Sequence, residues 1–381
     1  MSRAVLATSA PLIRSVLDRW SGWRDRLLAS PAFRRHAAAF PLTRPVARRR
    51  ARALFDLCAG FVYSQILLAC VRLRVFEALA EGPQALPRLA RRLGLAEDAA
   101  ERLLKAAASL RLVRADRQGR YGLGPLGAAL VGNPGLVAMI EHHVMLYEDL
   151  RDPVALLRGE ATGSLNRYWA YAGLAQPGEA AAHAVDPYTS LMAASQPLVA
   201  AEILDAYPID RHRHLLDIGG GDGSFITAAA ERAPHLRLTL FDLPETAARA
   251  RTRLSDAGLS GRTDAIGGDF FRDPLPQGAD IVSLVRVIHD HDDGPALNLL
   301  RAVRAALPPG GTLLLAEPMA GVPGIETVGD AYFGFYLLAM GQGRARKPSE
   351  LLRMLREAGF RRAQVRPTAM PLVTGLITAT A

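Results

Sequence analysis

At 381 residues, half of them hydrophobic and with a net charge of +9, the chain is long enough for two domains with sizeable cores. Two cysteines exclude a disulfide framework; Cys58 and Cys70 fall in one predicted helical region and read as buried thiols of a reducing compartment. Arg14 interrupts the only early apolar stretch, so no secretory signal is expected, and no run is expected to approach the ~18 uncharged apolar residues of a membrane-spanning helix.

The charge is uneven. Residues 1–55 hold twelve arginines against Asp18 and Asp25, a balance of +10, which leaves 34 basic and 35 acidic residues elsewhere, a balance of −1. A like-signed segment of this kind suits an anionic partner, either lipid or nucleic acid. Within it, Ile13, Val16, Trp20, Trp23 and Leu27 recur at steps of three and four, with Arg14, Arg19, Arg24 and Arg26 mostly beside them. The stripe has the composition of a helix lying in a membrane interface, or of one packed on the following domain. Residues 1–50 are therefore read as a basic amphipathic leader, punctuated by Pro31, Pro41 and Pro45.

Residues 51–80 predict a long apolar helix, Leu86 to Leu95 and Glu97 to Leu110 two short ones, and Leu112 to Leu123 a hairpin turning at Gly119. This is a winged-helix pattern. Duplex DNA is a poor partner for it, because the helix that would enter the major groove opens with Glu97, Asp98 and Glu101. Residues 125–200 predict further helices, so 51–200 is read as one winged-helix and helical linker domain.

From 211 onward strands and helices alternate. Strands are expected near 214–218, 237–241, 263–267, 280–286 and 312–316, a doubly wound, mostly parallel α/β sheet filling residues 201–381. A helix from Ser349, as N-cap, to Gly359 and an antiparallel pair at 364–366 and 372–378 are expected to close it. The first strand runs through Leu215, Leu216, Asp217 and Ile218 into Gly219, Gly220 and Gly221, with Gly223 two positions on and an apolar helix from Phe225. Glycines at a strand-to-helix turn let a nucleotide-like ligand approach the backbone. Twenty-five residues after Asp217, the second strand ends on Asp242, where an acid typically accepts from ribose hydroxyls. Together they point to an adenosine-containing cofactor. Ser224 stands where the nicotinamide fingerprint would need its third glycine.

The spacing Asp217-x-Gly219-x-Gly221-x-Gly223 resembles the glycine loop of S-adenosylmethionine (SAM) methyltransferases. Gly268-Asp269-Phe270-Phe271 resembles their adenine-holding motif, Val287-Ile288-His289-Asp290 the catalytic segment of plant and bacterial O-methyltransferases, and Gly310-Gly311 with the apolar run to Glu317 and Pro318 their fifth strand. This resemblance, over residues 50–381, implies a cofactor set of Asp217, Gly219, Gly221, Gly223, Asp242, Leu243, Asp269, Phe270 and Arg286. It also implies a winged-helix domain that makes a homodimer and caps the partner's active site. His289, after the fourth strand, is the candidate general base, with Asp290 and Glu317 beside it. The plant members flank this histidine with two acids; Glu317 matches the first, but the second should fall near Ala345, where this chain has none, and Arg286 stands where they have an aromatic residue. A metal at His289-Asp290-His291-Asp292-Asp293 is not expected, because neighbours on one loop cannot all converge on an ion.

The acceptor pocket is expected to use Tyr332, Phe333, Tyr336 and Met340, with His142, Met145, Tyr188 and Met192. Beyond the superfamily, the arginine-rich lead, the segment Phe40 to Gln65 and the segment Met340 to Arg346 resemble the carotenoid O-methyltransferases of purple photosynthetic bacteria. That implies methylation of the tertiary C1 hydroxyl of an acyclic hydroxycarotenoid of the spheroidene or spirilloxanthin type. An aromatic polyketide or phenol is the alternative acceptor, and a winged-helix regulator that binds SAM without turning it over is the non-enzyme alternative. The expected place is the cytoplasm, with a peripheral contact on the inner membrane through residues 11–52.

Overall fold

The computed structural model describes residues 19–161, 163–168 and 195–381. The chain divides into two compact units after Gly124.

The first unit is helical apart from a small sheet. Helices span 19–29, Pro31–Ala39, Arg44–Arg72, Val75–Ala80, Leu86–Leu93 and Glu97–Ser109. Strands β1 (Gln84–Ala85), β2 (Val113–Ala115) and β3 (Arg120–Leu123) pair antiparallel in the order β1-β3-β2. The wing turns where Asp116 accepts the backbone N–H groups of Gln118 and Arg120, both at 2.9 Å. Phe76, Leu79, Leu89, Leu104 and Val113 are the buried centre.

Three expectations are corrected here. The predicted 51–80 helix breaks after Arg72, because Arg74 takes a left-handed conformation (φ 55°) that no helix accommodates. Cys70 is buried but Cys58 is exposed. Helix Arg44–Arg72 contains an 18-residue window of mean hydropathy 1.8, long and apolar enough by length and composition to cross a membrane. Between Arg52 and Arg72 its only charged residue is Asp56. A soluble core or interface helix meets the same criteria.

The second unit carries a seven-stranded sheet of β4 (His214–Ile218), β5 (Arg237–Asp242), β6 (Thr263–Gly267), β7 (Ile281–Val285), β8 (Thr312–Glu317), β9 (Arg361–Arg366) and β10 (Gly375–Thr380), in the order β6-β5-β4-β7-β8-β10-β9. The first five of that order run parallel, and β10 pairs antiparallel with both β8 and β9. The inner parallel strands β4, β5, β7 and β8 are mostly apolar because helices bury both faces, whereas the edge strand β6 leaves three of its five residues exposed. One face packs on Asp293–Ala306 and Pro348–Glu357, the other on 195–206, Ser224–Arg232 and Pro244–Asp256. This is the expected doubly wound arrangement, with β4, β7 and β8 placing their carboxyl ends together where ligands of such sheets sit.

Two further expectations shift. The last helix starts at Pro348 rather than Ser349, with the Glu350 carboxylate accepting the Lys347 backbone N–H at 2.8 Å. Helices Pro134–Asp149, Pro153–Leu157 and Ser164–Tyr168, read from the sequence as part of a 51–200 domain, fall in the second unit. Asn166 shows why: its side-chain amide donates to the Met340 carbonyl at 2.8 Å.

Candidate active site

The glycine loop leaves β4 through Asp217, a fully buried carboxylate. Ser283 on β7 donates its hydroxyl to Asp217 Oδ1 at 2.6 Å, whereas Oδ2 is buried without a partner. Burial pushes the Asp217 carboxyl up to about 7. Gly221 is left-handed (φ 59°), and a Cβ there would meet only open space, so the backbone is approachable from outside. Asp242, at the end of β5, accepts the N–H of Gly221 at 2.8 Å and that of Leu243 at 2.7 Å, one on each oxygen. Burial raises it to about 6. Each oxygen retains a second acceptor position. An orphan buried carboxylate oxygen, an open glycine backbone and a second carboxylate with spare lone pairs suit a ligand rich in hydrogen-bond donors.

Beside this loop, Asp269 accepts the Phe271 N–H at 2.9 Å, and the rings of Phe270 and Phe271 meet the edge of His291 at 5.7 and 4.9 Å. With Asp292, Pro295, Asn298 and Gln342 they line a cleft of about 430 Å³. Burial lowers His291 to about 4, so it stands neutral against the aromatic pair.

His289 lies in a single helical turn, Ile288–Asp290, directly after β7. Glu317, at the end of the neighbouring β8, accepts four N–H groups: the backbone ones of Val287 (3.0 Å), Ile288 (2.7 Å) and His289 (3.4 Å), and the His289 ring at Nδ1 (2.6 Å). With its proton on Nδ1, the neutral ring presents Nε2 as a base. Asp290 Oδ1 is 3.1 Å from Nε2 and makes no hydrogen bond, so its negative charge acts on the ring when that ring is protonated. Burial alone would lower the His289 pKa; the negative charges of Asp290 and Glu317 outweigh it and raise the pKa above the ordinary value. Asp290 itself is pushed up to about 6, by burial first.

Arg286, one residue beyond β7, is left-handed (φ 58°), a strained conformation for a side-chain-bearing residue. Its guanidinium donates to Ser195 Oγ at 2.9 Å and to Gln196 Oε1.

Residues 147–361 match the O-methyltransferase domain, and residues 55–133 match the O-methyltransferase dimerisation domain. The chain belongs to the O-methyltransferase family. It is 43% identical to the demethylspheroidene O-methyltransferase of Cereibacter sphaeroides over 93% of each chain. It is also 44% identical to the protein of that name from Rhodobacter capsulatus, over 89% of this chain and 84% of that one. The crystal structure of human N-acetylserotonin methyltransferase in complex with SAM superposes with a TM-score of 0.71 at 25% identity, covering 87% of this chain and 97% of the other. The enzyme is thus a SAM-dependent O-methyltransferase.

Most of the residues expected from sequence to line the acceptor pocket lie together, and one of them meets His289. Phe333 sets its ring edge-on to His289 with centroids 6.0 Å apart. Tyr336 and Met340 belong to one buried apolar cluster, with Tyr332, Met145 and Ala345 packed against it. His142 bonds the Tyr336 hydroxyl at 2.7 Å, and His143 bonds that of Tyr332 at 2.8 Å. Tyr188 and Met192 lie outside the described residues.

Sequence reasoning missed the part played by Arg346. This side chain is buried and donates to the carbonyls of Ile288 (2.8 Å) and His291 (2.7 Å), and to the Asp293 carboxylate (2.9 Å). It grips both ends of the His289 turn. Its own carbonyl accepts the Ala320 N–H at 3.0 Å, in the chain that continues from Glu317. Arg344 adds a backbone bond to the His289 carbonyl at 2.9 Å, and a Cβ at Gly343 would overlap that same carbonyl. The available signal was two closely spaced arginines, Arg344 and Arg346, and an acid, Asp293, next to the His289 segment; both arginines pair with that acid. Arg346→Met is expected to strand two buried carbonyls, at about 1–3 kcal/mol each. Turnover should fall roughly tenfold or more, since an ångström of misplacement is costly at a reacting centre. Arg346→Lys should recover little, because one ammonium cannot reach all three acceptors. Unchanged kcat in a folded Arg346→Met variant would show that the turn holds itself.

Proposed function

We propose that this methyltransferase acts on the tertiary C1 hydroxyl of an acyclic hydroxycarotenoid, with His289 as general base. The observation that carries the reading is the identity of 43–44% over about nine-tenths of the chain to two proteins named for demethylspheroidene. The pocket wall supports it. Tyr332 and Tyr336 have their hydroxyls engaged by histidines, so this wall offers ring faces to an apolar chain rather than donors to a multiply hydroxylated aromatic.

Bound SAM supplies a methyl group on a positively charged sulfur. Asp217, Gly219, Gly221, Gly223, Asp242, Leu243, Asp269, Phe270 and Arg286 would hold it, with Asp242 accepting from the ribose and Phe270 against the adenine. His289 Nε2 takes the acceptor proton while Glu317, bonded to Nδ1, holds the ring in the required tautomer and stabilises the imidazolium. Asp290 adds negative charge beside Nε2. A tertiary alcohol is a weaker acid than a phenol, so a base of raised pKa suits it. Since removal of the proton has to accompany methyl transfer, the acceptor oxygen must be held in line with the methyl carbon.

The dimerisation-domain match supports a homodimer through residues 51–125, with no specific duplex DNA binding; Glu97 and Asp98 in the first turn of helix Glu97–Ser109 oppose the latter. Labelled methyl transfer from SAM to extracted hydroxycarotenoid is the test. Preferred transfer to phenolic acceptors would make the enzyme an aromatic methyltransferase, and SAM binding without transfer to either would make it a regulator. A monomer in sedimentation would overturn the dimer.

A further inference from the structure

We propose that residues 19–52 form a docking surface for an anionic lipid bilayer. No residue between 19 and 67 is buried; the first is Leu68. Helices of nine to eleven residues are marginal in water unless an apolar face is covered. Yet Trp20, Trp23, Phe40 and Val46 are each more than half exposed, and Leu42 is 80% exposed. Something other than this chain's own core covers the segment.

The charge says what. Residues 19–52 hold ten arginines and one acid, Asp25. Arg24 is paired with Asp25 at 2.8 Å, and Arg52 lies 3.9 Å from Asp56. Arg26, Arg34, Arg35, Arg44, Arg48, Arg49 and Arg50 form no ion pair among the described residues. A second copy could cover the apolar side chains at 54–62, which lie at or inside the start of the matched dimerisation domain. Over 19–52 the same copy would bring the same positive charge, and like charges oppose that contact. The cover is therefore anionic. Between the two common polyanions, the exposed tryptophans and aliphatic side chains favour a bilayer, since indole rings sit at the headgroup level with arginines reaching the phosphates. The surface stands on these residues alone and does not depend on which acceptor is methylated.

The test uses the full chain with vesicles of phosphatidylcholine, alone or mixed with phosphatidylglycerol. Sedimentation with the mixed vesicles only is expected, reversed by salt. Each arginine near an anionic leaflet strengthens partitioning about fivefold, so Arg48→Glu, Arg49→Glu and Arg50→Glu together should weaken it by about a hundredfold or more. Calorimetric SAM binding and the sedimentation coefficient in that variant should not change. In a Trp169→Phe background, brominated lipid should quench the fluorescence of Trp20 and Trp23. Three results would each overturn the proposal: no sedimentation with phosphatidylglycerol vesicles at low salt; tight RNA or DNA binding without lipid quenching, which makes the cover nucleic acid; or loss of the dimer in the triple variant, which makes these arginines an interface.

Discussion

His289→Gln is expected to lower turnover by about 10²–10⁴, the usual cost of losing a general base, while SAM affinity stays unchanged. Glutamine can still donate to Glu317, which accepts the Nδ1 proton at 2.6 Å, so the turn keeps its shape. What it lacks is a nitrogen able to take a proton. The wild-type pH profile carries the same argument. The base works only when neutral, and the charges of Asp290 and Glu317 raise its pKa against the effect of burial. The wild-type rate should therefore rise with pH along a limb lying above the ordinary histidine range, fall away on acidification, and lose that limb in the glutamine variant. Near-normal turnover in His289→Gln would mean that catalysis is proximity alone and that the histidine is structural.

The acids and the base were legible because each ends a strand at the same edge of the sheet. Strands 214–218 and 263–267 were read to the residue, since five-residue stretches closing on glycine, at Gly219 and at Gly267–Gly268, are too short for a helix. Asp242 and Glu317 close their strands, and His289 follows directly on the one between β4 and β8. The break in the first long helix was illegible: it falls at Leu73 and Arg74, where neither glycine nor proline marks a left-handed residue. Contacts such as His142 with Tyr336, 194 residues apart, are equally invisible, which is why the helices from 134 to 168 were read with the wrong neighbours. The missing acid at position 345 was legible as a gap, but its consequence was not. Ala345 packs against the Tyr332–Met340 cluster, and the second carboxylate beside His289 is Asp290, from the adjacent residue. Arg346 was hidden for a related reason. A buried arginine is recognised by the carbonyls it holds, and those of Ile288 and His291 become neighbours only once the turn has formed.

Asp242→Ala is expected to weaken SAM binding by about tenfold or more, because charge-assisted hydrogen bonds contribute roughly 1.5–3 kcal/mol each. The structure adds a second reason for the loss. The same carboxylate holds the Gly221 and Leu243 N–H groups, so alanine also releases the loop that would face the cofactor. Asp242→Asn separates the two effects: its carbonyl can keep one of those N–H groups, yet it carries no charge toward the ribose. Affinity intermediate between aspartate and alanine is expected. A pH dependence follows from the burial that raises Asp242 to about 6. Above that pH the carboxylate is ionised and accepts strongly; below it, the proton occupies an acceptor position and affinity should drop. The sign for the free protein is opposite. A carboxyl raised on folding contributes stability that is complete below its unfolded pKa of about 3.9 and is lost as the pH rises through about 6. Acidification from neutrality should therefore loosen the cofactor while making this part of the empty loop more stable. Calorimetric titration of SAM across that range measures the first, and denaturant unfolding without cofactor, compared with Asp242→Asn, measures the second. Unchanged affinity in Asp242→Ala would place the ribose elsewhere and leave Asp242 as a clamp on its own loop.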